Sequence, residues 1–258
     1  MSSETTVRNG AVTLPVTRSG AGPELVFLNG GGATQVAWKD VIAELHGYET
    51  ITFDLRGHGK ASAATSYKFA DFQSDVEAVL GSLAVQRPIL IGWSLGADLA
   101  LEYAATHPVA GLVLVDGAVP LQEPLVEDQK KLRDSFNSLG TKLAMRLVRL
   151  TPHGYVMPGK AFADLTIELD QRRQQLLDTY RTLDCPVTML LATHSAHGRD
   201  AHAAHVNRTW KAGGEVLRAA VPSAEVSWLD GDHKLPFHHP AEIARAIENL
   251  AAKAQSAE

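Results

Sequence analysis

Short apolar runs alternate along the chain with longer stretches whose apolar residues recur at helical spacing. This is the pattern of a mostly parallel sheet joined by crossover helices. Val12 to Thr17 reads as an early strand, and Glu24 to Leu28 as a buried one ended by Asn29-Gly30-Gly31-Gly32. Tyr48 to Asp54 is the next strand, and Asp71 to Leu83 a helix that sets Phe72, Val76, Val79, Leu80 and Leu83 on one face. Pro88 to Ile91 and Gly111 to Val115 read as buried strands on either side of a helix from Leu95 to Thr106. His107-Pro108 stops that helix, because a residue before proline is pushed out of helical angles.

The rhythm changes near residue 120. Gln122 to Arg149 and Ala161 to Leu183 read as charged helices around Thr151 to Gly159, with no strand pattern among them. Strands resume at Pro186 to Leu191 and Ala224 to Leu229, with helices expected at Ala201 to Ala219 and Pro240 to Ala252. The expected organisation is an α/β core over 1–119 and 185–258, with a helical cap inserted over 120–184.

Composition narrows the function classes. The 258 residues are 45% AVILMFWYC and 21% DEKR, the middle range of globular proteins, at a length that suits one domain with an insertion. With 24 Lys+Arg against 29 Asp+Glu and no long run of one sign, the net charge of −5 argues against a nucleic-acid partner. Cys185, the single cysteine, cannot close an intramolecular bridge and fits a reducing compartment. The first residues carry neither a basic nor an apolar signal region, and no stretch nears the ~20 apolar residues that cross a bilayer. The expectation is a cytoplasmic protein without a membrane partner; its oligomeric state is left open.

Gly92-Trp93-Ser94-Leu95-Gly96 falls between the strand ending at Ile91 and the helix starting at Leu95. A G-x-S-x-G in that setting forms a sharp elbow that presents the serine hydroxyl, and the strained backbone needs small neighbours. A serine becomes a nucleophile only when a base takes its proton. His233, after the last strand in Leu229-Asp-Gly-Asp-His233, is the candidate base, on the same sheet edge as the elbow. The glycine run after Leu28 occupies the place of an oxyanion hole, which needs a backbone N–H there beside that of the residue after the serine. Gly31 and Leu95 are the expected donors.

Together with Asp54-Leu-Arg56-Gly57-His-Gly59, Leu112-Val-Leu-Val-Asp116 and Gly231-Asp-His233 ahead of Pro240, these motifs make the chain resemble α/β-hydrolase-fold proteins along nearly its whole length. The Gly-Trp-Ser-Leu-Gly form is similar to that of small serine carboxylesterases. The resemblance implies an acid that orients His233. Most relatives carry it near the position of Ser195, where this chain has no carboxylate. Haloalkane dehalogenases and some lipases place it after the preceding strand, which points to Asp116 first and, through a longer loop, to Asp200 second.

Trp93 and Trp38 are expected to flank an acyl pocket, with Phe136 and Tyr155 of the cap lining it. His194, His197, His202 and His205 cluster in sequence, but alanine-rich surroundings and the absence of a carboxylate set argue against a metal. No cofactor is expected. The reading is a serine hydrolase acting on an ester or related acyl bond of a small, largely apolar molecule through an acyl-enzyme. The alternatives on this scaffold are a cofactor-free dioxygenase, a C–C bond hydrolase, or a ligand receptor that keeps the same three residues.

Overall fold

Strand faces sort the apolar residues before any helix is considered. In the computed structural model, which describes residues 2–138, 140–141, 154 and 156–256, Leu25, Phe27, Ile89, Ile91, Val113 and Val115 face one side of a sheet. Val26, Leu28, Leu90, Leu112 and Leu114 face the other. Successive side chains alternate across a strand, so runs apolar at every position must be covered on both faces.

Among the described residues eight strands form this sheet: β1 (Ser2–Asn9), β2 (Val12–Gly20), β3 (Glu24–Leu28), β4 (Glu49–Phe53), β5 (Ile89–Trp93), β6 (Gly111–Val115), β7 (Val187–Ala192) and β8 (Ala224–Leu229). Their order is β1-β2-β4-β3-β5-β6-β7-β8, with β1 and β2 antiparallel and the others parallel from β4 onward. The hairpin strand β1 has no counterpart in the sequence reading. It is an edge strand exposed along most of its length, so it carries no apolar stripe to announce it.

Helices α1 (Lys39–Ala43) and α9 (Pro240–Ser256) cover one face, and α2 (Phe69–Ser82), α3 (Leu95–Ala104) and α7 (Ala201–Ala220) the other. Between β6 and β7 stand α4 (Gln129–Asn137), α5 (Gly159–Arg173) and α6 (Leu176–Arg181), the inserted helical cap. The expected helix from Gln122 is shorter at its start: residues 121–128 are irregular, and Asp128 caps α4 by accepting from the Lys131 N–H at 2.9 Å. The expected helix from Ala161 to Leu183 breaks at Gln174-Gln175 into α5 and α6.

Two ion pairs fasten the cap to α3. Arg173 meets Asp98 at 2.6 Å and Arg172 meets Glu102 at 2.6 Å. A short helix α8 (Leu235–His238) follows β8. No described helix is long and apolar enough to cross a membrane.

Because β5, β6, β7 and β8 are parallel, the residues that follow them share one sheet edge. Ser94, Asp116, Ser195 and His233 all come after carboxyl ends of strands, where open α/β sheets bind their ligands.

Candidate active site

Ser94 sits in the turn from β5 to α3 with φ 53° and ψ −119°, a left-handed backbone that costs a non-glycine residue about 1–3 kcal/mol. Close packing maintains it. A β-carbon on Gly92 would collide with the backbone of Gly96, and one on Gly96 with the carbonyls of Leu28 and Asn29. The Ser94 N–H donates to the Val115 carbonyl at 3.0 Å, so the neighbouring strand fixes the turn. The hydroxyl is left half-buried at the edge of the sheet.

His233 closes on it from the loop after β8. Ser94 Oγ lies 2.9 Å from His233 Nε2, and His233 Nδ1 lies 2.6 Å from Asp116 Oδ2. An ionised Asp116 can only accept, so Nδ1 carries the proton and Nε2 faces the serine with its lone pair. Trp93 steadies this loop by donating its indole N–H to the His233 carbonyl at 2.8 Å.

Asp116 is fully buried, with φ 43° at the end of β6. Its Oδ1 accepts from the Ala192 N–H at 3.0 Å and the Trp210 indole at 2.8 Å, and its Oδ2 accepts from Ser195 Oγ at 2.7 Å. Burial alone would raise its pKa; hydrogen bonds from and the charge of His233, with those from Ala192 and Ser195, outweigh it and hold the carboxyl below its ordinary range. Asp200, the second candidate acid, is exposed and caps α7 through the Ala203 N–H at 2.8 Å. It is not brought to His233.

The glycine loop after β3 lies directly against the elbow. A β-carbon on Gly30 would come 3.2 Å from Ser94 Cβ, whereas one on Gly31 would meet nothing nearer than the Phe162 ring at 3.6 Å. The Gly32 N–H is already engaged, donating to His58 Nε2 at 2.8 Å, while His58 Nδ1 donates to the Arg56 carbonyl at 2.9 Å. His58 is wholly buried, and burial pushes its pKa below the ordinary value, against the pull of the Arg56 carbonyl and Asp54. The imidazole is therefore neutral, and it pins the loop in which Gly31 stands opposite Leu95.

The sequence pattern of the alpha/beta hydrolase family matches residues 25–246. This chain belongs to that family. It is 32% identical over 111 residues to a 2-(acetamidomethylene)succinate hydrolase of Mesorhizobium japonicum, a match covering 42% of this chain and 40% of that protein. It is 35% identical over 100 residues to a 2-succinyl-6-hydroxy-2,4-cyclohexadiene-1-carboxylate synthase of an Enterobacter species, covering 38% of each. These matches thus span less than half the length of either relative. Among solved structures, one from a study of carboxylesterases of Nitrososphaera gargenis superposes with a TM-score of 0.78 at 16% identity, covering 98% of this chain and 100% of that one.

The expected lining of this alpha/beta hydrolase's pocket divides. Trp38 is fully buried on the α1 and α9 side of the sheet, its ring 5.3 Å from that of Phe27, with no surface left for a ligand. Trp93 is a support beneath His233, its ring 5.7 Å from the imidazole, and it too is buried. A tryptophan beside a glycine loop or a nucleophile looks the same in sequence whether it faces cleft or core. Phe136 packs on Phe162 with ring centroids 5.1 Å apart and planes tilted by 31°; both are half-buried, and Phe162 lies against Gly31. Tyr155 lies outside the described residues. Ser195, Trp210 and His58 are partners of the site that their sequence surroundings do not announce. Only the missing carboxylate at 195 signalled that this position differs.

Proposed function

We propose that the protein is a serine hydrolase that cleaves an ester, or a related acyl bond, of a small and largely apolar substrate. The observation that carries this reading is the unbroken line of hydrogen bonds from Ser94 Oγ through His233 to Asp116. Ser94 Oγ attacks the acyl carbon while its proton passes to His233 Nε2, and the developing oxyanion is received by the N–H groups of Gly31 and Leu95. His233 then returns the proton to the departing alkoxide, leaving an acyl group on Ser94. Water, deprotonated by the same nitrogen, releases the acid. Asp116 keeps the imidazole in the tautomer that each transfer needs and stabilises its charged form. Phe162 and Phe136 supply an apolar roof on the acyl side.

A panel of nitrophenyl esters of increasing chain length tests this directly. Turnover that vanishes in Ser94→Ala is expected; a folded wild type inert towards every ester argues against it. Cofactor-free oxygenation is the second reading, favoured by the position of Asp116 after β6 instead of β7, with carbon–carbon bond hydrolysis beside it on the same three residues. Oxygen consumption with a heteroaromatic substrate, without ester turnover, marks the oxygenase; carbon–carbon cleavage that takes up water and no oxygen marks the hydrolase.

A further inference from the structure

Asp116 is held not only by His233 and its own strand neighbours but by an indole from the far side. Trp210 of α7 is buried and donates Nε1–H to Asp116 Oδ1 at 2.8 Å. The guanidinium of Arg173, the last residue of α5 in the cap, lies over the Trp210 ring at 5.0 Å from its centroid. Arg173 is itself clamped by Asp98 of α3, with Nε to Oδ1 at 2.9 Å and Nη2 to Oδ2 at 2.6 Å. Asp98 sits one helical turn after Ser94. The contacts therefore close a ring: Ser94, His233, Asp116, Trp210, Arg173, Asp98 and back to the elbow.

We propose that Arg173 is a positioning residue, through which the seated cap holds Trp210 on Asp116 and so fixes the oxygen that Asp116 presents to His233. The proposal rests on the hydrolase reading above for its consequence, though not for its geometry. A buried ion pair adds little net stability over apolar side chains of the same volume, so stability does not account for this one. Its geometry does. Two hydrogen bonds to one carboxylate fix the plane of the guanidinium, and a desolvated cation over an indole face attracts the negative face of that ring. With Oδ1 saturated by Trp210 and Ala192, Oδ2 is left for His233 and Ser195.

Charged groups from several elements surround this set. Arg173 faces Asp98 from α3, Asp170 from α5 and Asp116 from β6, all of which keep it protonated against burial. Asp116 faces His233, the Ser195 hydroxyl and the Arg173 charge. Near His233, Asp232 is paired with His197 at 3.1 Å and stands 3.9 Å from His238. These last groups are left untouched by the variants below.

Trp210→Phe keeps a ring beneath Arg173 and removes the N–H alone. Labelling of Ser94 by a fluorophosphonate is expected to slow roughly tenfold or more, the effect of one hydrogen bond to a charged group. Its acid limb is expected to move to higher pH, because a carboxylate stripped of a donor holds the proton on an adjacent imidazole more firmly. The double variant Arg173→Met/Asp98→Leu, which removes both partners of the pair and leaves Asp170 its Leu125 and Val126 N–H donors, is expected to slow labelling similarly and to shift the indole N–H resonance of Trp210, assigned by its loss in Trp210→Phe. Wild-type rates with an unmoved limb in Trp210→Phe, or an unmoved indole resonance in the double variant, overturn the proposal. If folded wild type takes no label at Ser94, the hydrolase reading fails instead, and the indole resonance alone decides whether Arg173 positions Trp210.

Discussion

Ser195 Oγ donates to Asp116 Oδ2 at 2.7 Å and stands 3.5 Å from His233 Nδ1, so residue 195 reaches the same imidazole nitrogen as the acid. Asp116→Asn is expected to lower ester turnover by about 10⁴-fold, since the amide no longer selects the working tautomer. Moving the carboxylate in Asp116→Asn/Ser195→Asp is expected to recover at least tenfold of that loss. Steady-state kinetics on one ester measure both steps; a double variant as poor as the single one contradicts the assigned geometry.

Asp200 offers a contrast. Its carboxylate caps α7 and has no part in the site, so Asp200→Ala is expected to cost about 1 kcal/mol of stability. Turnover should stay within twofold of wild type. Urea unfolding and the same ester assay separate the two effects, and a severe loss of turnover at normal stability would reverse the choice of acid.

The loop after β4 is held from beneath by a buried charge pair. Arg56 Nε and Nη2 donate to the two oxygens of the fully buried Asp75 at 2.7 and 2.8 Å, and Asn9 Nδ2 adds a third bond at 2.9 Å. Asp75→Ala is expected to cost about 3 kcal/mol, because it takes both short charge-assisted bonds from the buried Arg56 and leaves it the more distant Asp71 at 3.5 Å. Chemical denaturation with the slope held to the wild-type value reads this number.

His58 makes stability depend on pH with a definite sign. Burial lowers its folded pKa, so the unfolded chain binds a proton first as pH falls. Its contribution is complete above the unfolded value of about 6.5 and is lost as pH drops through the lower folded value. Wild type is expected to lose more stability between pH 7 and pH 5 than His58→Gln, read by urea midpoints. Equal slopes in the two proteins sink this assignment.

The parallel strands were legible because burial on both faces leaves unbroken apolar runs such as Gly111 to Val115. β1 was not, since most of its side chains face solvent and only Val7 is buried, which leaves no apolar alternation to read. Ser94 and His233 could be named from strand, glycine and chain order, for these are local or ordinal signals. Naming Asp116 took a family resemblance. Trp210 reaches it from a helix whose apolar spacing reads as ordinary core packing, and nothing local distinguishes an indole that meets a carboxylate from one that meets leucines. Trp38 shows the reverse case, a residue next to the glycine loop that turns to the opposite face of the sheet.

If His233 activates the Ser94 hydroxyl as a nucleophile, an electrophilic phosphonate reacts at that oxygen first. Mass spectrometry of the intact protein and its peptides after brief exposure to a fluorophosphonate tests it most directly. One phosphonyl group on the Ser94 peptide, absent in Ser94→Ala and slowed at least a hundredfold in His233→Ala, is the expected result. A folded wild type that stays unmodified at Ser94, or a His233→Ala protein that labels as fast as wild type, contradicts it.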